Sequence, residues 1–123
     1  MRIQESGEMY LEAIYVLKQQ SGNVRAIDIS QHLGYSKPSV SRAMSILKKG
    51  GYITIDECSH IHLTDAGKFV AEKIYERHDI LSQMLISLGV PEKTATEDAC
   101  RLEHAISDES FAAIKAHFTE MKK

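Results

Sequence analysis

One short segment near the C-terminus combines three kinds of metal-ligating side chain at helical spacing. Cys100, Glu103 and His104 occupy positions i, i+3 and i+4, and residues at that spacing share one face of an α-helix. A thiolate, a carboxylate and an imidazole on one face form half of a transition-metal site. The alternative is a buried thiol beside a surface glutamate and a surface histidine. The segment predicts a divalent-metal site if other helices supply further ligands.

Candidate partner ligands lie on two other predicted helices. Met9 and Glu12 share one face of the first helix, and His78 lies on a long central helix. Residue type alone leaves their roles open, because a methionine on a helix more often packs in the core and a lone histidine is usually structural.

A basic block in the first half of the chain predicts a polyanion partner. The stretch 29–55 contains no acidic residue but has four basic ones, Lys37, Arg42, Lys48 and Lys49. The whole chain has a net charge of −2, so the remainder carries −6. A nucleic acid responds to such a local positive potential rather than to the overall charge.

The elements around the basic block predict a winged helix-turn-helix. A short helix over about 26–33 ends at Gly34, and Ser36 caps a second helix that runs to about Lys49. Two short strands follow, over 52–55 and 60–63, separated by a polar turn. Helices joined by about four residues and followed by a hairpin are typical of this DNA-binding motif. A small α/β domain with a solvated basic face is the alternative.

The second helix of such a pair enters the major groove of DNA, so its exposed first turns carry the predicted contacts. Arg42 can read a guanine edge, whereas the lysines suit phosphates. Val40, Met44 and Leu47 lie on the opposite face and are expected to pack inward. The predicted DNA-binding residues are Ser36, Lys37, Pro38, Ser39, Ser41, Arg42 and Lys48.

The remaining pattern is helical, which makes the predicted fold mainly α. A first helix spans about 5–20, and Thr64 caps a long helix to about Leu88. A helix through Cys100 follows, with capping-box spacing at Thr94–Glu97 or a start nearer Pro91, and Asp108 caps the last helix. We therefore expect a winged helix-turn-helix domain over 1–64 and a helical domain over 65–123.

Composition restricts the class of protein. No apolar run in the 123 residues approaches the ~18 residues of a membrane helix, and the polar, acidic N-terminus is unlike a secretory signal. The two cysteines, Cys58 and Cys100, are too few for a disulfide framework. These features predict a cytoplasmic protein without a membrane partner.

Two other classes use the same residues differently. A metal-independent redox regulator would use Cys58 and Cys100 as thiol sensors, but the acidic neighbours of Cys58 disfavour its thiolate. An enzyme would use Cys100 as nucleophile and His104 as base, yet the sequence indicates neither a pocket nor an oxyanion donor. We therefore expect no catalytic activity.

Four segments together resemble one family. They are 8–12 (Glu-Met-Tyr-Leu-Glu), 36–42 at the start of the recognition helix, the pair Arg77–His78, and 98–108 (Asp-Ala-Cys-Arg-Leu-Glu-His-Ala-Ile-Ser-Asp). In these segments, and over nearly its whole length, the chain resembles the diphtheria toxin repressor family, metal-dependent repressors that include the manganese transport regulators. The segment 100–108 is the most specific of these motifs.

The resemblance implies a winged helix, a helical dimerisation domain and an ion that bridges the two and switches on operator binding by a homodimer. In the iron-responsive branch, the ligands correspond to Met9, Cys100, Glu103 and His104. The manganese branch has Asp at position 9 and Glu at position 100, and shares Glu12 and His78. The sulfur ligands Met9 and Cys100 therefore favour Fe(II). The resemblance then implies a repressor that controls metal-uptake genes. A Mn(II)-responsive regulator of the same fold is the alternative, and Co(II), Ni(II) or Zn(II) stay open.

The sequence also departs from the iron branch at three places. The ancillary metal site of that branch has a glutamate where this chain has Ser82, and a further family histidine falls at Thr96. No counterpart of the C-terminal SH3-like domain follows within the sequence. We therefore expect His78 to bind a second ion with Glu12, as in the manganese branch, or to have a packing role.

Overall fold

The computed structural model describes residues 5–122, and within them the mainly α fold with an N-terminal winged helix-turn-helix is confirmed. Eight elements follow one another in this part of the chain. They are α1 (Glu5–Ser21), α2 (Ala26–Leu33), α3 (Lys37–Lys49), β1 (Ile53–Ile55), β2 (Ile61–Leu63), α4 (Asp65–Ser87), α5 (Glu92–Ala105) and α6 (Asp108–Lys122). Contacts divide the chain into two compact units, with the division within α4 between Glu72 and Lys73.

The first unit packs α1, α2 and α3 around one apolar core with the β1–β2 hairpin, which we call the wing. Its buried side chains include Leu11, Ile14, Ile29, Val40 and Ile53. The wing pairs antiparallel, with Ile53 opposite Leu63. The backbone N–H of Ile61 donates to Val24 O at 2.7 Å and ties the wing to the segment between α1 and α2.

Local signals define α3 as the sequence predicted. Gly34 adopts the left-handed conformation, with φ of 73°, and ends α2. The Ser36 hydroxyl accepts from the backbone N–H of Ser39 at the start of α3, and Pro38 lies in the first turn, where a missing N–H costs nothing. Val40, Met44 and Leu47 are buried as expected.

A chain of polar contacts joins α1 to the wing turn. Lys18 Nζ donates to His62 Nδ1 at 2.8 Å, and His62 Nε2 lies 2.9 Å from Asp56 Oδ2. Because an ammonium has no acceptor, His62 carries its proton on Nε2 and donates it to Asp56. This hydrogen bond, together with the backbone N–H groups of His60 and Cys58, lowers the pKa of Asp56 to about 2. The wing turn is therefore held by an ionised carboxylate.

The start of α4 lies directly against the wing. The Thr64 hydroxyl accepts from Gly67 N at 3.2 Å, as a cap should, and donates to Gly51 O at 2.6 Å. Thr64 N donates to Tyr52 O at 3.0 Å. A Cβ on Gly67 would lie 2.0 Å from that same carbonyl oxygen. Glycine is therefore the residue that lets α4 begin against the backbone of the wing.

The second unit has a small core of Leu81, Ala99 and Phe111, flanked by partly buried Ile80, Ile106 and Ile114. The capping box predicted at Thr94 is wrong, because α5 already begins at Glu92 and Ala95 N donates to Pro91 O at 2.9 Å. A start nearer Pro91 was the open alternative.

The predicted cap of the last helix is also wrong. The Ser107 hydroxyl, not the Asp108 carboxylate, accepts from a backbone N–H of the first turn of α6, that of Ser110, at 3.1 Å. Asp108 is instead engaged by two basic side chains of α4, Lys73 and Arg77.

Candidate metal centre

The second unit holds a carboxylate between two imidazoles. Glu103 on α5 is completely buried, and its Oε2 lies 2.9 Å from Nδ1 of His78, which α4 contributes. Its Oε1 lies 3.3 Å from Nε2 of His104, the next residue along α5. The His104 side chain is 3% exposed and that of His78 is 27% exposed. Within this unit, the predicted ligands His78, Glu103 and His104 are therefore brought together.

This arrangement fits a divalent cation by its donor chemistry. Carboxylate oxygen and imidazole nitrogen are ligands for Mn, Fe, Co, Ni and Zn alike. A buried carboxylate is costly unless positive charge or hydrogen-bond donors surround it, and a cation meets that need at the same place. His78, Glu103 and His104 therefore have the donor atoms that could hold a metal in this unit.

A buried arginine fixes the backbone next to this cluster. Arg77 Nη1 on α4 donates to the carbonyl oxygens of Glu103 at 3.2 Å and Ile106 at 2.8 Å, at the end of α5. Its Nη2 donates to Asp108, and its guanidinium lies 5.4 Å from the centre of the Phe111 ring. Arg77 therefore holds the junction between α5 and α6 in place.

The carboxylate of Asp108, which accepts from Arg77, is stabilised in its ionised form by two basic side chains. A hydrogen bond from Lys73 at 2.8 Å, together with its charge and that of Arg77, lowers the pKa of Asp108. Sequence reasoning missed this role of Arg77 and Asp108. The available signal was that Arg77 continues the buried stripe of Ile74 and Leu81, where a charge needs several partners.

Cys100, Met9 and Glu12 are the other predicted ligands. Cys100 lies one helical turn before Glu103 on α5 and is exposed. Met9 on α1 is half-buried, and its sulfur accepts a hydrogen bond from the Tyr35 hydroxyl at 3.4 Å. Glu12 is half-buried one turn further along α1. Ser82, at the position of the family's ancillary glutamate, is buried, and its hydroxyl has no hydrogen-bond partner within residues 5–122.

The predicted DNA-contacting residues belong to α3 and its N-cap, Ser36, in the first unit. Each of Ser36, Lys37, Pro38, Ser39, Ser41, Arg42 and Lys48 is exposed, and the first turn of α3 contains no acidic side chain. The Ser36 hydroxyl donates to Ser39 Oγ at 2.9 Å, so this pair also stabilises the start of the helix.

Apolar side chains on α4 and the helices after it differ in exposure, and this decides which of them are available for contact with a second copy of the chain. Ile74 and Phe111 are buried and close the core of the second unit. Phe69, near the start of α4, and Leu88, just after its last residue, are 71% and 70% exposed, and Ile86 is 43% exposed. No helix within the described part of the chain is long and apolar enough to span a bilayer.

A winged helix-turn-helix followed by a helical unit with a buried carboxylate and two imidazoles defines a DNA-binding regulator that responds to a metal ion. Comparison with known proteins agrees with this class. Residues 2–61 match the model described as "Iron dependent repressor, N-terminal DNA binding domain". Residues 64–123 match "Iron dependent repressor, metal binding and dimerisation domain". The chain belongs to the iron-dependent repressor family, whose members are metal-dependent transcriptional repressors and not enzymes.

Individual relatives agree with the family assignment. The chain is 33% identical over 120 residues to an uncharacterized HTH-type transcriptional regulator of Methanocaldococcus jannaschii, and the match covers 96% of each protein. It is 33% identical over 106 residues to the transcriptional regulator MntR of Escherichia coli, covering 86% of this chain and 68% of MntR.

A solved manganese-dependent transcriptional repressor in complex with manganese superposes with a TM-score of 0.83 at 27% identity. The superposition covers 92% of this chain and 52% of the solved one, so the present chain spans about half the length of that relative.

Proposed function

We propose that this chain is an Fe(II)-activated transcriptional repressor that binds operator DNA as a homodimer in the cytoplasm and controls metal-uptake genes. The observation that carries the proposal is the fully buried Glu103 carboxylate with the imidazoles of His78 and His104 at 2.9 and 3.3 Å. A divalent ion bound there supplies positive charge beside a carboxylate that is removed from water.

The proposed ligand set draws on both units. Glu103, His104 and His78 hold the ion in the helical unit, and Cys100 adds a thiolate from the same helix as Glu103. Met9 and Glu12 are further ligands on α1, the first helix of the DNA-binding unit. Ligands from that helix make metal affinity depend on the state of the DNA-binding unit, and by reciprocity the metal changes DNA affinity by the same factor.

Sulfur is the reason to favour iron over manganese. Thioether and thiolate ligands suit Fe(II), Co(II), Ni(II) and Zn(II) better than the harder Mn(II). Softness does not separate iron from zinc, so availability in the cell decides between those two ions. The family includes proteins named for iron and a solved repressor named for manganese, and Met9 and Cys100 are the residues on which the preference of this chain rests.

The homodimer is proposed to form through the exposed apolar side chains of the helical unit, Ile86 and Leu88 among them. A two-fold protein matches a palindromic operator, because two recognition helices then reach half-sites one helical turn apart. Sedimentation measures the mass directly, and a monomer at micromolar concentration would contradict this model.

The first prediction concerns the choice of metal. A fluorescent duplex, selected from a random pool by the Fe(II)-loaded protein, is titrated anaerobically with protein at fixed free Fe(II), Mn(II), Co(II) or Zn(II). We expect Fe(II) to activate binding at a free concentration at least about tenfold below that of Mn(II). The combined Met9→Asp and Cys100→Glu variant replaces both sulfur donors by oxygen and should reverse this order.

The controls for this titration separate the alternatives. Cys100→Ser should abolish the sulfur-to-metal charge-transfer band of the Co(II) form while leaving imidazole and carboxylate ligation. Equal activation by Mn(II) and Fe(II) in the parent would contradict the iron assignment. Loss of DNA binding on mild oxidation, with no response to a chelator, would instead favour the thiol-based regulator using Cys58 and Cys100.

The second prediction concerns DNA readout. Arg42→Ala should lower affinity for the selected duplex by about 1–3 kcal/mol while leaving affinity for random DNA nearly unchanged, because a lost base contact removes discrimination. Lys48→Ala, on the same helix, should weaken both duplexes equally and lower the salt dependence of binding by about one unit. A uniform loss with Arg42→Ala would reassign that side chain to phosphate contact.

A further inference from the structure

Tyr35 ties the turn before α3 to the first helix. Its hydroxyl donates to the Met9 sulfur at 3.4 Å, and its ring meets the Tyr10 ring edge-on, with centroids 5.9 Å apart. Its backbone carbonyl accepts from the Ser30 hydroxyl on α2 at 2.6 Å. The next residue, Ser36, is the N-cap of α3. One side chain therefore links a proposed metal ligand to the residue that begins the recognition helix.

The sulfur of Met9 cannot serve the phenol and a metal equally well. A thioether is a weak hydrogen-bond acceptor, because it offers only lone pairs of low charge density. A bound divalent cation withdraws electron density from those lone pairs, so the coordinated sulfur is a still poorer acceptor. Tyr35 is 39% exposed, and water can replace the sulfur as the partner of its hydroxyl. The phenol and the metal therefore oppose each other at one atom.

We infer that Tyr35 is a positioning residue that couples metal ligation by Met9 to the start of α3. The hydrogen bond from Tyr35 to Met9 belongs to the metal-free form, and it is broken both when Met9 ligates the metal and when α3 is bound to DNA. The inference rests on the proposed function, because it requires Met9 to be a ligand. On this inference, the turn between α2 and α3 takes part in the structural change that follows metal binding, in addition to α1.

The test is Tyr35→Phe, which keeps the ring contact with Tyr10 and removes only the hydroxyl. We expect Fe(II) and Co(II) to bind the DNA-free variant about two- to fivefold more tightly, because no hydrogen bond has to be broken. By reciprocity, the ratio of DNA affinities with and without metal should fall by the same factor. In a Met9→Leu background, which has no sulfur at this position, Tyr35→Phe should change neither quantity.

A readout without metal comes from the ¹³C-methyl NMR signals of the methionines. Met9→Leu identifies the Met9 methyl signal, and Tyr35→Phe should shift that signal in the metal-free protein while moving the Met121 methyl signal, from the other unit, little. Addition of Co(II) should move the Met9 methyl signal in both the parent and the variant.

The outcomes distinguish this inference from the proposed function. Unchanged or weaker metal binding by Tyr35→Phe, with Met9→Leu still reducing metal affinity, overturns the role of Tyr35 and leaves the metal-activated repressor intact. Metal binding that is insensitive to Met9→Leu overturns the inference through the ligand assignment. A parent protein that binds no divalent metal overturns the proposed function itself.

Discussion

His104→Ala is expected to abolish the metal response of DNA binding. The variant should bind Fe(II) at least about 100-fold more weakly than the parent, since loss of even an outer partner of a ligand typically costs 10- to 100-fold in metal affinity. The His104 side chain is 3% exposed and lies against the Glu103 carboxylate, so solvent cannot replace the lost imidazole with comparable geometry. At a metal concentration that saturates the parent, the variant should bind the selected duplex as the metal-free parent does.

A second variant distinguishes loss of metal binding from loss of folding. Glu103→Gln keeps the shape of the side chain but removes the charge that attracts a cation. Metal present at 100 times its dissociation constant stabilises the parent by about 2.7 kcal/mol, and neither variant should show this increase. His117→Ala, which removes an exposed histidine of α6, is the matched control and should retain the full metal response. Normal metal-dependent DNA binding by His104→Ala would remove the basis of the proposed function.

Gly67→Ala is expected to destabilise the winged unit by about 3 kcal/mol and to lower its melting temperature by about 10 °C or more. A Cβ at this position meets the Tyr52 carbonyl oxygen at 2.0 Å, and that oxygen belongs to the backbone rather than to a flexible side chain. Either the wing or the first turn of α4 must move, and the hydrogen bond from Thr64 N to Tyr52 O is then strained.

The sign of the change in the free energy of unfolding distinguishes the packing contact at Gly67 from helix propensity. Gly67 lies within a helix, where alanine is ordinarily favoured over glycine by about 1 kcal/mol. Helix propensity alone therefore predicts stabilisation, whereas the contact with Tyr52 predicts the opposite. Gly22→Ala is the control, because Gly22 has φ of 83° and open space around its Cβ position, so only the backbone cost of about 1 kcal/mol applies. A neutral or stabilising result for Gly67→Ala in chemical denaturation would contradict the packing of α4 on the wing.

The bounds of α3 and the constraint on Gly67 show which structural features a local sequence pattern can predict and which it cannot. Gly34, Ser36 and Pro38 act within a few residues of themselves, so their pattern predicts the bounds of α3 correctly. The constraint on Gly67 comes from a carbonyl fifteen residues earlier in the chain, and no local pattern announces such a contact. The predicted cap at Asp108 failed for the same reason, since its carboxylate is recruited by Lys73 and Arg77 from another helix.

The candidate metal centre also combines features that the sequence predicts with features that depend on tertiary packing. Helical spacing alone predicts that Cys100, Glu103 and His104 share a face, and His78 is a candidate by residue type that the resemblance supports. The spacing does not reveal that Glu103 is completely buried whereas Cys100 is exposed, because burial depends on how α4 packs against α5. The link between Met9 and Tyr35 spans 26 residues and is likewise a product of tertiary structure.

The anchoring of the α5–α6 junction by Arg77 has a consequence for ion binding at the proposed metal site. The carbonyl of Glu103 is already bound by the guanidinium before any ion arrives, so the main chain that carries this carboxylate loses its conformational entropy during folding. Preorganisation of this kind lowers the cost of the binding event itself. In the proposed repressor, more of the free energy of metal binding is then available to shift the equilibrium of the DNA-binding helices, because less of it is needed to assemble the coordination sphere.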